Sequence, residues 1–152
     1  MTRFRLKKKS SRRGTSMVEM AIVLPVFLVL VFGMLDLAAG VFRYNMLAQA
    51  ARQGVRQAIV HGSLADRLGP WGPAAYSSTG ADGHAIADVV RPSLATLDPA
   101  EVTLETEWLD GNNELNQPVR VTVSAPYQPM MTFIFGNPSI TLRATSTMPI
   151  AH

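Results

Sequence analysis

The chain has 152 residues, 47% hydrophobic and 16% charged, enough for one anchor and one small domain and too few for two globular cores. It contains no cysteine, which excludes a disulfide framework, a thiolate nucleophile and a Cys-ligated zinc or iron–sulfur centre. The formal net charge of +3 is local: residues 1–13 hold seven basic side chains and no acid, leaving 7 basic groups against all 11 acids in the rest, so the high isoelectric point implies no nucleic-acid-binding domain.

After the basic arm, Met20 to Leu35 reads MAIVLPVFLVLVFGML, sixteen residues without a charge, and with Asp36 included the apolar run reaches Phe42, or 23 residues. As a helix that run spans about 34 Å, enough to cross a hydrocarbon core of about 30 Å. The pattern predicts a transmembrane helix with the arm on the cytoplasmic side and the C-terminal part beyond the membrane. A secretory signal peptide shares the basic start and the apolar centre. This run is longer than the usual signal core, although the small residues near Ala39 leave a cleavage there open.

Glu19 stands at the inner edge of that helix, where a carboxylate is costly unless it is paired or kept near the surface. The order is a basic leader ending Arg12-Arg13-Gly14, then Thr15-Ser16-Met17-Val18-Glu19, then the apolar run. This arrangement resembles a type IV prepilin processing site, which implies cleavage after Gly14 by a prepilin peptidase. The new ammonium at Thr15 is then a partner for Glu19, on the same helix or on a neighbouring subunit.

The likeness extends through residues 12–62, with Val18-Glu19, Ala21 to Leu24 before Pro25, Phe32-Gly33, Asp36, and the block Ala50-Ala51-Arg52-Gln53-Gly54-Val55-Arg56-Gln57-Ala58. Over this stretch the chain resembles the TadE-like family, pseudopilin-type proteins of the Flp (tight adherence) pilus system. Asp36 departs from the glutamate first expected there. The resemblance implies a single-pass protein of the inner (cytoplasmic) membrane. It further implies, as partners, other pilus or pseudopilin subunits, the prepilin peptidase, the inner-membrane assembly platform and membrane lipid.

Pro25 falls inside the helix, where it removes one hydrogen bond, a defect that membrane helices tolerate. Gly33, Asp36 and Gly40 share one face, small enough for a second helix to approach, although glycine is also simply common in membrane helices. Beyond Arg43 the helical period continues to His61. Tyr44, Leu47, Ala51, Val55, Ala58 and Ile59 form an apolar stripe, and Asn45, Gln49, Gln53 and Gln57 an amide ladder. Arg52 and Arg56, four apart, are either a solvated face or a contact for acids on a neighbour or for lipid headgroups. Gly54 lowers helix propensity and predicts close packing or a bend, and His61-Gly62-Ser63 is the expected stop.

Residues 62–84, rich in Gly, Pro and Ser, read as a long mobile loop, with Trp71 anchoring it to the sheet or touching the membrane interface. Ala85 to Leu97 reads as a short helix interrupted at Pro92. Strands follow from the alternation of Val102, Leu104, Thr106 and Trp108, then of Val119, Val121 and Val123, and from Ser139 to Met148, with a turn at Asp110 to Asn113. Met130 to Phe135 is an apolar segment, read as a short helix or an interfacial contact. The whole is expected to be α+β: a leader over residues 1–14, a pilin-like helix over 15–61, and a small extracytoplasmic domain over 62–152 with a three- or four-stranded antiparallel sheet.

No chemistry emerges. His61, His84 and His152 lack metal-ligand spacing, no phosphate loop, nucleophile elbow or H-E-x-x-H occurs, and Glu101, Glu105, Glu107, Asp110 and Glu114 read as a polar sheet face. No catalytic residue, cofactor or metal is assigned, and nucleic acid is not an expected partner. The expectation is a minor structural or assembly subunit of an Flp-type pilus. The alternative is a permanently anchored extracytoplasmic binding or adhesion protein that never enters a filament.

Overall fold

A computed structural model of the protein describes residues 12–65, 67–131 and 139–151, the side chains of Arg12 and Arg13 excepted. The basic residues before Arg12, and Thr132 to Phe135 of the apolar segment, lie outside the described residues.

One helix, α1, runs from Arg12 to Ala58, 47 residues and about 70 Å at the helical rise. Pro25 sits within it without ending it. Four strands follow: β1 (Tyr76–Thr79), β2 (Thr103–Trp108), β3 (Pro118–Tyr127) and β4 (Ile140–Pro149). They form one sheet in the order β1-β2-β3-β4, antiparallel throughout. Between β1 and β2 lie a short helix, α2 (Ala85–Val90), and a 3-10 turn (Arg91–Leu94). Pro92 produces this break: a ring in place of the N–H suits the first turn of a new segment and not the interior of a continuing one. The α+β class and the antiparallel sheet are as the alternation predicts.

The outer part of α1 packs on β3, β4 and α2. The apolar stripe supplies Leu47, Ala51, Val55 and Ala58 to the core, which meet Val119, Val121 and Val123 of β3 and Ile86 and Val90 of α2. Tyr44, expected in the same stripe, remains exposed. A Cβ on Gly54 would stand 3.0 Å from Val121 Cγ1 and 3.4 Å from Val90 Cγ2, so of the two readings of this glycine the structure displays close packing. Strand β3 then descends along the helix, from Val121 against Gly54 to Tyr127 against Gly40. Six strand residues cover about 20 Å and fourteen helical residues about 21 Å, so the two elements stay in step.

Two expectations are revised. The helix ends at Ala58 rather than His61: beyond it the Ile59 carbonyl accepts from the Ala151 N–H at 3.0 Å and the His61 carbonyl from the Trp71 N–H, and the His61 ring is turned to the loop that follows. Its Nδ1 lies 2.9 Å from the Gly69 carbonyl, and the ring stacks on Trp71 with centroids 3.8 Å apart. The Gly/Pro-rich stretch is also not wholly loop, since it contains β1 and is tied down. Trp71 N–H donates to the His61 carbonyl at 2.8 Å, Asn113 Nδ2 donates to the Trp71 carbonyl at 2.9 Å, and Trp71 packs against the core. Gly72, at a φ of 81° that favours glycine, lies directly over the Trp108 indole. Within the acidic strip, Glu105 pairs with Arg143 at 3.4 Å and Glu107 with Arg120 at 3.5 Å, both on exposed positions where such pairs contribute little.

Candidate functional site: the anchor helix and its junction with the sheet

Along its inner half, α1 has almost nothing beside it among the described residues. Met17 is 77% exposed and Met34 74%, and the most apolar window of the helix has none of its residues buried. A helix apolar on all sides and covered by no protein fits a hydrocarbon solvent. Among the described residues this is the one helix long and apolar enough to cross a membrane, and it serves as the chain's membrane anchor.

At the inner end, Gly14, Thr15 and Glu19 are all exposed and all helical. Among the described residues, no heavy atom comes within 4 Å of a Cβ built on Gly14, its immediate helical surroundings aside. Thr15 and Glu19 lie one turn apart on the same side of the helix. Among the described residues, no other part of the chain is gathered around them. Pro25 is likewise exposed on the apolar stretch.

The junction is built on Asp36. Its Oδ1 accepts from the Met130 N–H at 2.7 Å and its Oδ2 from the Met131 N–H at 2.9 Å. Its backbone carbonyl accepts from the Tyr127 hydroxyl at 2.9 Å. Counted from Met20, a hydrocarbon layer of about 30 Å takes about 20 helical residues, which places Asp36 just inside the outer boundary. Non-helical backbone at that depth must find protein partners, and a carboxylate there must find donors. Each requirement meets the other. Burial pushes the Tyr127 phenol above its ordinary value, the Asp36 carboxylate adds to the shift, and Arg43 opposes it. The Arg43 guanidinium stands 5.2 Å from the centre of the Tyr127 ring, a cation–π distance.

This geometry gives the small-residue face an occupant from the same chain. A Cβ on Gly33 would lie 3.9 Å from Met131 Sδ, and one on Gly40 would lie 3.6 Å from the Tyr127 ring. Sequence reasoning placed Gly33, Asp36 and Gly40 together but missed Tyr127, Arg43 and the Met130–Met131 amides. The Tyr127 and Met130–Met131 partners of Asp36 lie 91 to 95 residues away along the chain, and no local pattern announces such a pairing.

Arg52 and Arg56 are exposed and separate from this junction. Arg52 Nη2 donates to Gln49 Oε1 at 3.3 Å, and neither arginine has a carboxylate within 4 Å among the described residues. Two rungs of the amide ladder turn inward instead. Gln53 Oε1 accepts from the Ser93 hydroxyl at 2.6 Å, and Gln57 Nε2 lies 3.3 Å from His61 Nε2.

Comparison with curated proteins and with solved structures gives no match. Residues 14–56, from the glycine before Thr15 to the second exposed arginine, match the family model described as TadE-like protein, so over most of its length the long helix of this chain is similar to that family.

Proposed function

We propose that the protein is a minor pseudopilin-like subunit of an Flp-type (Tad) pilus or a related envelope secretion machine, and that it acts by helix packing rather than by catalysis. The observation that carries this reading is the match over residues 14–56 on a helix left bare of protein along its membrane half. A prepilin peptidase cuts after Gly14, the new amine at Thr15 is neutralised by Glu19, and the anchor joins a bundle of similar helices drawn from the inner membrane. The basic arm keeps the N-terminus cytoplasmic and the sheet domain outside. Partners are other pilus subunits and the assembly platform.

The test is the mature amino terminus of protein from native membranes, read by intact mass and terminal peptide sequencing. A chain beginning at Thr15, and lost in Gly14→Ala, is the expected result. Retention of Lys7-Lys8-Lys9, or a start near Gly40, overturns the processing and with it the pseudopilin reading.

A further inference from the structure

Where the sheet overhangs the anchor, the two elements enclose an apolar groove of about 770 Å³, within the size range of small-molecule sites. Val29, Leu30, Met34, Leu37 and Val41 form its helical wall, and Tyr127, Met131, Ile140 and Leu142 form its sheet wall. The polar groups in the middle of its lining are engaged: both Asp36 carboxylate oxygens accept loop N–H groups, and the Tyr127 hydroxyl donates to the Asp36 carbonyl, while the exposed Tyr44 stands at its outer end. What remains for an occupant is hydrocarbon. Arg43 stands beside the outer end, its guanidinium over the ring of Tyr127, which lines the groove, and without a carboxylate within 4 Å among the described residues.

We propose that this groove seats one acyl chain of a membrane phospholipid, with the lipid phosphate at Arg43. From Val29 to Tyr44 the helical wall is about 22 Å long, against about 15 Å for the hydrocarbon of one leaflet. Counted from Met20, it begins near the bilayer midplane and ends at the headgroups. The helical wall is continuous with the exposed apolar surface of the anchor, which includes Ile22 and Val26, so the groove opens into the layer that already bathes that surface. A second copy's helix fits less well. Close helix approach relies on small residues, and Met131 and the Tyr127 ring already stand beside the two glycines on this face, which narrows the approach for a helix and leaves room for a thinner chain. The proposal rests on the membrane anchor alone and is independent of cleavage at Gly14 or entry into a filament.

The experiment uses the full chain in phosphatidylcholine–phosphatidylglycerol vesicles containing a phosphatidylglycerol with a photoactivatable diazirine midway along one acyl chain, followed by peptide mass spectrometry. Labelling of the sheet wall at Met131, Ile140 or Leu142, alongside Leu30 and Leu37, is expected. Gly33→Leu, which fills the groove floor, and Arg43→Glu, which repels the phosphate, should each reduce sheet-wall labelling several-fold while leaving labelling of Phe27 unchanged. Labels confined to the helix, or sheet-wall labels indifferent to both substitutions, overturn the proposal. The absence of native cysteine allows one further check: a copper-driven disulfide between separate L142C and L37C chains would seat a second copy in the groove and overturn it as well.

Discussion

The inner and outer parts of α1 belong to one unbroken helix, yet Met34 is 74% exposed and Leu47 is not exposed at all. The difference lies in how apolar residues are distributed around the axis. From Met20 to Leu35 they cover every side, so no single protein face can bury them and the bilayer is the matching solvent. From Leu47 to Ala58 they form a stripe with glutamines and arginines on the other flanks, and one small sheet suffices. A helix therefore does not fix its own partner; the angular width of its apolar surface does.

Exchanging a charge into each half should break this division most sharply. Val121 faces the outer part of α1 and has no exposure. In Val121→Asp an unpaired carboxylate is buried, at a cost of several kcal/mol on the scale of the largest single-site effects. The outer domain should lose protease resistance while the chain stays in the membrane. Leu28→Asp places its carboxylate near the middle of the span, where about 2.5–3.5 kcal/mol opposes insertion. Membrane-inserted protein should fall while the thermal midpoint of the outer domain holds. An equal loss of that midpoint in both variants would show that the halves are not independent.

Glycines provide the next contrast. Gly54→Leu forces a side chain into Val121 and Val90, and overpacking of about 1–3 kcal/mol outweighs the helix-propensity gain of about 1 kcal/mol. Its thermal midpoint should drop, whereas Gly14→Leu, with open space around it, should leave the midpoint unchanged or slightly raised. At the junction, Asp36→Ala removes the acceptor of two loop amides. At the depth assigned to Asp36 the two amides do not readily regain a water partner, so the cost, local to this loop, is about 1–3 kcal/mol. Hydrogen exchange at Met130 and Met131 should quicken by roughly tenfold, with the core amides of β3 unaffected.

The Tyr127 phenol offers a pH test of the same junction. Its proton is held more tightly in the folded chain than at the ordinary value of 10.0. The associated stability is therefore fully present below that pH and is lost as pH rises through the interval above it. Thermal midpoints should fall more steeply above about pH 10 in the parent chain than in Tyr127→Phe.

Much of this organisation is legible in local pattern. The apolar run gives the anchor, the period of three and four gives the stripe, and alternation gives β2, β3 and β4, because each signal is the direct imprint of one solvent on one repeating geometry. Strand β1 is not legible. Its sequence, Tyr76-Ser77-Ser78-Thr79, has no apolar alternation, and it is fixed by pairing with Thr103 to Thr106 on β2. The junction is hidden for the same reason. Asp36 reads locally as an acid in a membrane helix, and only the descent of β3 along α1 delivers Tyr127 and the two methionine amides to it.

The smallest effect on the fold and the most informative about partners belongs to Arg52 and Arg56. They sit on the exposed side of the half-helix whose opposite side is buried, and their mutual repulsion slightly opposes the helix. Replacing both with glutamate should change the thermal midpoint by no more than about 0.5 kcal/mol equivalent and leave membrane insertion intact. The sheet uses the far side of this helix, so any loss from the double variant cannot be ascribed to the core. If this face docks on acids of a neighbouring subunit, co-purification with other pilus components should fall at least tenfold, and an acidic-to-basic change on the partner should restore it. If co-purification is unchanged, the arginine face of the outer half of α1 is satisfied by water, and its opposite face by its own sheet.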